Sequence, residues 1–132
     1  MKIRIKIVDN DINTVAKVVI VDDKNRVLLL KRSNYTEKFS GQWDLPGGHL
    51  KSNESLSAGL EREVSEETGL TVSDFKLVEI DTNLHFFVSR YDSQPVKLSH
   101  EHTEYRFFDA KDLDPSQKFQ KVAIKALGMI ND

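Results

Sequence analysis

The chain contains no cysteine, which excludes disulfides, thiolate metal sites and cysteine nucleophiles. Its apolar residues never form a run long enough to cross a bilayer, so no membrane association is expected. A basic excess is also absent, because 19 Lys and Arg residues face 21 Asp and Glu residues and the net charge is −2. Stable nucleic-acid binding is therefore not expected, since no basic stripe would release phosphate counterions. These absences favour a cytoplasmic protein that acts on a small molecule.

The length of 132 residues suits a single domain, 1–132, which can bury a core without disulfides or a structural metal. Neither internal repeats nor low-complexity linkers interrupt the sequence. Apolar residues at alternate positions and β-rich segments predict strands, with polar turns between them. The predicted strands lie around residues 3–7, 15–21, 26–31, 71–80, 84–90 and 104–108. Residues 34–42 are polar and are expected to form a loop beside the site.

Two helices are predicted between and after these strands. Ser52 or Asn53 is expected to cap the first helix, and Gly69 to end it. The Asp114-Pro115 pair is expected to open the second helix, with proline in the favoured first turn. Apolar stripes for packing lie at Leu56, Leu60 and Val64 in the first helix, and at Phe119, Val122 and Ala126 in the second.

The first predicted helix carries three acids, Glu63, Glu66 and Glu67, within about one turn of each other. Like charges this close repel by a few tenths of a kcal/mol per pair, roughly, when nothing lies between them. A cation between the acids removes that repulsion, and all-oxygen ligands suit Mg²⁺ or Mn²⁺. Gly47 and Gly48 precede the helix, and glycine lets the backbone approach a metal or a phosphate closely. The alternative is a solvated acidic helix face, which is what most acidic runs form.

The spacing of these residues resembles the signature of the Nudix hydrolases. In order, the pattern consists of Gly48, five residues, Glu54, seven residues, Arg62-Glu63, Val64, any residue, Glu66-Glu67, any residue, Gly69 and Leu70. Every specified position of the signature is filled. The resemblance implies an α/β fold, namely an α/β/α sandwich with a mixed central sheet and two main helices. It also implies Mg²⁺-dependent hydrolysis of a nucleoside diphosphate linked to another group.

The resemblance assigns roles to individual residues of the signature. It implies metal ligands at the carbonyl of Gly47 and at the carboxylates of Glu63, Glu66 and Glu67, with Mn²⁺ as an alternative to Mg²⁺. Arg62 is expected to orient the acids, and Glu54 to pair with Arg62. The general base is either Glu63 or a carboxylate outside the signature.

Glu101 and Glu104 are the candidates for that additional carboxylate, because many family members supply one from the corresponding region. The sequence does not discriminate between the two. The candidate catalytic residues are therefore Glu63, Glu66, Arg62, Glu101 and Glu104. His100 and His102 flank Glu101, and a His-x-His pair in a polar segment is more often surface than a metal site.

The candidate substrate-binding residues are Arg32, Trp43 and Gly48. Trp43 offers an aromatic face for stacking and Arg32 a cation for phosphate, while core packing and surface charge are the alternatives. A position sixteen residues after the signature separates some subfamilies, with Pro in sugar-nucleotide types and Tyr in dinucleoside polyphosphate types. Here it is Phe86, which matches neither. The favoured substrate is a nucleoside triphosphate, including an oxidised one. The protein is expected to be a monomer or a homodimer. ADP-ribose, dinucleoside polyphosphates and a non-catalytic nucleotide-binding module remain alternatives.

Overall fold

The computed structural model describes residues 13–33 and 41–130. The strands are β1 (Val15–Val21), β2 (Val27–Arg32), β3 (Trp43–Asp44), β4 (Gly47–His49), β5 (Lys76–Asp81), β6 (Leu84–Arg90) and β7 (His102–Phe108). The helices are α1 (Leu56–Thr68) and α2 (Lys118–Ile130), with a short 3₁₀ helix at Ala110–Asp112. The strand predicted at residues 3–7 and most of the loop predicted at 34–42 lie outside the described residues.

The seven strands form one mixed sheet with β1 at its centre. Strands β3, β2, β1, β6 and β5 follow each other across the sheet, while β4 pairs with β1 and β7 with β2. Among the strands that the structure describes, only the β1–β6 pair is parallel, running from Val15 opposite Leu84 to Val21 opposite Arg90. Every residue of β1 is buried, because the strand has neighbours along its edges and helices over both faces.

The two helices cover opposite faces of this sheet, and alternate residues of each strand point to opposite sides. On one side, α1 contributes Leu60 and Val64 to a core that includes Val18 and Ile20 of β1. On the other side, α2 contributes Val122, Ala123, Ala126 and Leu127 to a second core, which includes Val19, Val21, Leu29, Phe86 and Val88 of the sheet. The predicted α/β sandwich with a mixed sheet and two main helices is therefore confirmed.

The first residue of α1 differs from the prediction, although its end does not. The N-cap is Ser55, whose hydroxyl accepts a hydrogen bond from the Ala58 amide at 3.1 Å. Asn53 instead adopts φ 71° in a turn, in which the Glu54 amide donates to the Lys51 carbonyl, so the predicted cap at Ser52 or Asn53 is wrong. Gly69 ends the helix as predicted, with φ 74° and its amide donating to the Ser65 carbonyl.

The strand predicted at 71–80 is wrong for its first half, because β5 begins only at Lys76. The side chain of Gln94 bonds both the amide and the carbonyl of Thr71, and the Ser89 hydroxyl donates to the Ser73 carbonyl. Asp74 then adopts φ 58°, which extended chain does not allow. The alternating pattern had predicted that this backbone pairs with a neighbouring strand. Side chains form hydrogen bonds with its amide and carbonyl groups instead.

The second helix also begins later than predicted, at Lys118 rather than at Asp114-Pro115. The Asp114 carboxylate accepts bonds from the amide and the hydroxyl of Ser116, and the Gln117 amide donates to the Asp114 carbonyl. An aspartate that bonds two residues ahead forms a turn instead of a first helical turn. Strands β1 and β6 have their predicted bounds, whereas β2 is shifted by one residue and β7 begins two residues early.

Candidate active site

A cavity of about 410 Å³ lies between β4, the acidic face of α1 and the loop before β7. Its lining includes Gly47, Gly48, Glu63, Glu67 and Glu101. The short strand β4 places the glycines there by pairing with β1 in antiparallel register, Gly47 opposite Lys17. The sequence pattern had not predicted β4, since three residues give no periodicity. Three carboxylates and a glycine bend therefore share one concave surface.

The two glycines are required by close approach to their neighbours. A Cβ on Gly47, which has φ 133°, would lie 2.1 Å from the carbonyl oxygen of Ala16. A Cβ on Gly48 would lie 2.7 Å from the carboxyl carbon of Glu63. Side chains at these positions would displace β1 in the first case and a cavity carboxylate in the second.

Glu67 is the most deeply buried of the three helix acids, with 7% of its surface exposed. Its Oε1 accepts a hydrogen bond from the Gly47 amide at 3.0 Å. Burial raises the pKa of Glu67 to about 8, although the charge of Lys17 and the Gly47 hydrogen bond oppose the shift. Burial also raises the pKa of Glu63, against the opposing charge and hydrogen bond of Arg62. Both carboxylates thus lie where a positive charge would stabilise their ionised form.

Arg62 links Glu54, which lies just before α1, to two of the helix acids. Its Nε donates to Glu54 Oε2 at 2.6 Å and its Nη2 donates to Glu54 Oε1 at 3.1 Å, so the expected Glu54–Arg62 pair is present. Its Nη1 donates to Glu63 Oε2 at 3.2 Å and to Glu66 Oε1 at 3.0 Å, and its Nη2 also donates to the His49 carbonyl at 3.1 Å. The hydrogen bond to Glu54 raises the pKa of Arg62, and the same bond lowers the pKa of Glu54. Arg62 is therefore held in a position to orient Glu63 and Glu66.

The structure separates the two candidates for the additional carboxylate. Glu101 lines the cavity, and its charge acts on Glu63. The loop that carries it is fixed to the end of α1, where the Ser99 amide donates to the Glu67 carbonyl at 3.1 Å. Glu104 instead lies on β7, half-exposed, with its carboxylate 3.9 Å from the ammonium of Lys31, and does not line the cavity. Glu101 is thus the acid that the fold brings to Glu63 and Glu67.

The donor chemistry of the cavity fits a hard divalent cation such as Mg²⁺ or Mn²⁺, because the carboxylates of Glu63, Glu67 and Glu101 line it. Among residues 13–33 and 41–130, no three acidic or histidine side chains converge into a complete metal shell. Glu66 and Glu67 direct oxygens instead towards Arg62 and the Gly47 amide. Mutually repelling carboxylates take the nearest hydrogen-bond donors, and a cation would compete with those donors for the same oxygens.

Sequence reasoning missed a buried ionic network at one end of the cavity. Lys17 Nζ lies 3.1 Å from both carboxylate oxygens of Asp44, and Arg32 Nη1 lies 3.2 Å from Oδ2 of the same residue. Lys17 also lies 5.5 Å from the centroid of the Phe119 ring. The available signal was a lysine in the middle of an otherwise apolar strand. Phe119, interpreted from sequence only as a core residue, lines the cavity as well.

A second cavity, of about 260 Å³, adjoins the first. It contains both substrate-binding candidates from outside the signature, Arg32 and Trp43, and it shares Arg32, Asp44 and Phe119 with the carboxylate cavity. Trp43 packs edge-to-face on Phe108 with ring centroids 5.1 Å apart. Trp43 therefore packs against the core and also lines the second cavity.

His102 is buried, although a histidine in this polar segment was expected at the surface. Neither of its ring nitrogens has a hydrogen-bond partner among the described residues, and burial lowers its pKa. Phe86, the residue at the subfamily position, is fully buried with its ring centroid 5.8 Å from that of Phe119.

Within the described ranges, no helix is long and apolar enough to cross a membrane.

The NUDIX domain family model matches residues 12–127. An 8-oxo-dGTP diphosphatase of Proteus vulgaris is 36% identical over 77 residues, which make up 58% of this chain and 66% of that protein. An RNA pyrophosphohydrolase of Pasteurella multocida (strain Pm70) is 34% identical over 84 residues, or 60% of this chain and 40% of that protein. An ADP-ribose pyrophosphatase of Methanocaldococcus jannaschii is 41% identical over 51 residues, or 39% of this chain and 29% of that protein. The chain thus matches between 29% and 66% of the length of these relatives.

Solved structures match a larger share of the chain than the sequence relatives do. The crystal structure of a MutT protein from Methanosarcina mazei Go1 has a TM-score of 0.71 and 30% sequence identity. The match covers 90% of this chain and 94% of that one. The names of the sequence relatives differ in substrate, so the comparisons leave the substrate open.

Proposed function

Because the chain belongs to the Nudix family, whose domain matches residues 12–127, we propose that it hydrolyses nucleoside diphosphates linked to another group. The observation that supports this proposal best is the shared cavity, in which Glu63, Glu67 and Glu101 face the bend at Gly47 and Gly48. A diphosphate is anionic, so a cavity of carboxylates suits it only together with bound cations. A divalent metal, Mg²⁺ or Mn²⁺, is therefore part of the proposal.

The metal would be held by the carboxylates of Glu63, Glu66 and Glu67 and by the carbonyl of Gly47. When bound, it would neutralise phosphate charge and lower the pKa of its bound water. Burial of Glu67 disfavours an unpaired negative charge there, which strengthens the case for a positive ion in the cavity.

The remaining tasks fall to other residues of the cavity. Glu101 is exposed at the cavity wall, where it would hold the attacking water and remove its proton. Glu63 is the alternative base, because burial raises the pKa of its carboxyl group and so makes the carboxylate a stronger proton acceptor than an exposed glutamate. Arg62 would keep Glu63 and Glu66 in place while substrate binds, and Gly48 leaves room for the diphosphate backbone.

Within this class we favour nucleoside triphosphates, oxidised ones included, which would be cleaved to a monophosphate and pyrophosphate. The similarity to an 8-oxo-dGTP diphosphatase over 58% of the chain supports this choice. ADP-ribose is the second candidate, because an ADP-ribose pyrophosphatase is 41% identical over 51 residues. A nucleotide-binding module without activity is the third possibility, but the chain retains every acid of the signature.

A substrate panel with Mg²⁺ would test the proposed reaction. Nucleoside triphosphates, dinucleoside polyphosphates, ADP-ribose and nucleotide sugars would each be incubated with the protein, and phosphate would be measured with added pyrophosphatase or added phosphatase. Phosphate that appears with pyrophosphatase alone identifies triphosphate cleavage to pyrophosphate. A capped diphosphate resists phosphatase by itself, so phosphate that appears with phosphatase but not with pyrophosphatase identifies its cleavage. Nucleotide binding by calorimetry without any product would support the non-catalytic module and contradict the proposed hydrolase.

Glutamine substitutions would test the assignment of the acids. We expect Glu67→Gln and Glu101→Gln each to lower kcat by roughly 100-fold or more. The proposed roles require a negatively charged carboxylate, and the amide of glutamine is neutral. Glu104→Gln should stay within about twofold of wild type if Glu101 is the additional acid. Glu61→Gln, on an exposed position of the same helix, controls for the loss of a negative charge. Equal losses in the Glu61 and Glu67 variants would contradict the assignment.

A further inference from the structure

The strand β5 forms one edge of the sheet, and among the described strands it pairs only with β6. It carries two apolar side chains, Leu77 and Ile80, with 46% and 55% of their surface exposed. Their partners across the ladder are Phe87 and His85, and Phe87 packs against the core on the α1 side of the sheet. Leu77 and Ile80 therefore lie on the α1 side too, because paired residues share a face. An edge with exposed apolar side chains is a template for pairing with another strand.

The opposite face of β5 is acidic. Its carboxylates, Glu79 and Asp81, point to the α2 side, where each meets a lysine of that helix. Lys125 Nζ lies 3.3 Å from Glu79 Oε1, and Lys118 pairs with Asp81. Both ion pairs are solvent-exposed, and a carboxylate can accept bonds at both of its oxygens. The strand thus presents an apolar face on the α1 side and an acidic face on the α2 side.

The start of the described chain lies beside the end of this strand. The side chain of Asn83, in the turn from β5 to β6, donates to the Asn13 carbonyl, and the Val15 amide donates to the Asn83 carbonyl at 2.9 Å. Residues 1–12 precede this point in the chain. The position beyond β5 is three strand spacings from β1, or about 14 Å. Residues 8–12 can span up to about 17 Å when extended, so the residues before them can reach that position.

The sequence of this preceding segment has two unlike faces as well. Residues 2–7 carry basic side chains at even positions and isoleucines at odd positions. Because side chains alternate along a strand, the isoleucines would share one face and the basic residues the other. Beside β5, the isoleucines would lie next to Leu77 and Ile80, and the basic residues next to Glu79 and Asp81. A shift of one residue would reverse both matches, so the register is strongly specified.

We propose that the edge of β5 that faces away from β6 is the docking site for residues 2–7 of the same chain, which add there as a further strand. The added strand is parallel to β5, because both run towards the turn between β5 and β6. Its isoleucines cover Leu77 and Ile80, and its backbone pairs with the outward amides and carbonyls of β5. A segment tethered about 14 Å away has an effective concentration in the millimolar range, which favours it over a second copy of the protein. The inference is independent of the proposed hydrolysis.

Disulfide formation between introduced cysteines tests the docking directly, because the chain has no cysteine of its own. Ile80→Cys would be combined in turn with a cysteine at each position from 2 to 7. Under mild oxidation, the odd positions should form an intramolecular disulfide at least about tenfold faster than the even positions, since only they share the face of residue 80. The even positions are the matched controls. Thermal midpoints under reducing conditions would show that every double variant is folded.

The size of the oxidised product on a denaturing gel without reductant identifies the occupant of the edge. A product of monomer size that forms only at odd positions supports the docking of residues 2–7. Equal rates at odd and even positions, or the lack of any disulfide, would overturn it. Disulfide-linked dimers as the main product would overturn it too, because a second copy would then occupy the edge.

Hydrogen exchange of residues 76–81, followed by mass spectrometry, provides a second measurement that needs no cross-link. Ile5→Asp and Asn10→Asp each add one negative charge to the segment, but only the first lies on its apolar face. In Ile5→Asp, the amides of β5 that point away from β6 should exchange at least about tenfold faster than in the wild type, because they lose their partners. Asn10→Asp should exchange like the wild type. Identical exchange in both variants would contradict the proposed strand.

Discussion

The buried carboxylate of Glu67 makes the stability of the metal-free protein depend on pH in a specific direction. Its pKa is about 8 in the folded protein, against an ordinary value of 4.5. Between these values the folded protein keeps a proton that the unfolded chain has lost. The contribution of Glu67 to stability is therefore fully present below about pH 4.5 and is lost as pH rises through about 8.

The magnitude follows from the width of that interval. Within this interval, each rise of one pH unit lowers the free energy of unfolding by up to about 1.4 kcal/mol through this group alone. The total is on the order of a few kcal/mol, which is a substantial part of the stability of a domain this size. Solvent screens this group little, because only 7% of its surface is exposed.

Glu67→Gln removes the titrating group but keeps a side-chain oxygen to accept from the Gly47 amide. In EDTA, we expect the variant and the wild type to be similarly stable at pH 5, and the variant to be more stable at pH 8. Urea unfolding at half-unit pH steps would measure the difference between the two. Glu61→Gln, on an exposed position of the same helix, should follow the wild-type curve at every pH.

Added Mg²⁺ provides the second part of this experiment. At pH 8 the metal should stabilise the wild type, because a ligand that binds only the folded state shifts unfolding by mass action. The same concentration should stabilise Glu67→Gln much less. Parallel pH curves for wild type and variant in EDTA would refute the claim that Glu67 is the buried titrating group. Equal stabilisation of both by Mg²⁺ would refute its role as a ligand.

Three further substitutions test the packing and the ion pairs around the site. Gly48→Ala should lower turnover by at least about tenfold with little change in thermal midpoint, because its Cβ displaces a flexible carboxylate and not the backbone. Glu54→Gln should lower the unfolding free energy in urea by roughly 1–2 kcal/mol, since it weakens a two-bond contact with Arg62; an unchanged midpoint would contradict this. Lys17→Met should cost roughly 3 kcal/mol by leaving Asp44 short of a partner, and Lys17→Arg should restore part of the loss.

Elements with a regular apolar pattern were the ones that sequence predicted well. Strands Val15–Val21 and Leu84–Arg90 have their predicted bounds, and the stripe of the first helix packs into the core. Elements whose backbone is satisfied by side chains were predicted poorly. The turn after Asp114 and the segment before Lys76 are both held by side-chain hydrogen bonds, which periodicity does not report.

The sequence by itself determined the acidic helix and the family, because both depend on spacing along a few turns of chain. Residues three and four apart meet on one helix face whatever the rest of the fold does. It also determined the glycines before the helix and the pairing of Glu54 with Arg62, which lie within the same short segment.

Only the tertiary structure decided that Glu101 joins the cavity and Glu104 does not, and that Lys17 lies against Asp44 and Phe119. These residues are far apart in the chain and meet because β1 lies between β4 and β6 while α2 packs across the sheet. The order of strands depends on the packing of the whole core, and no local pattern encodes it. For the same physical reason, the second cavity emerged only from the folded chain.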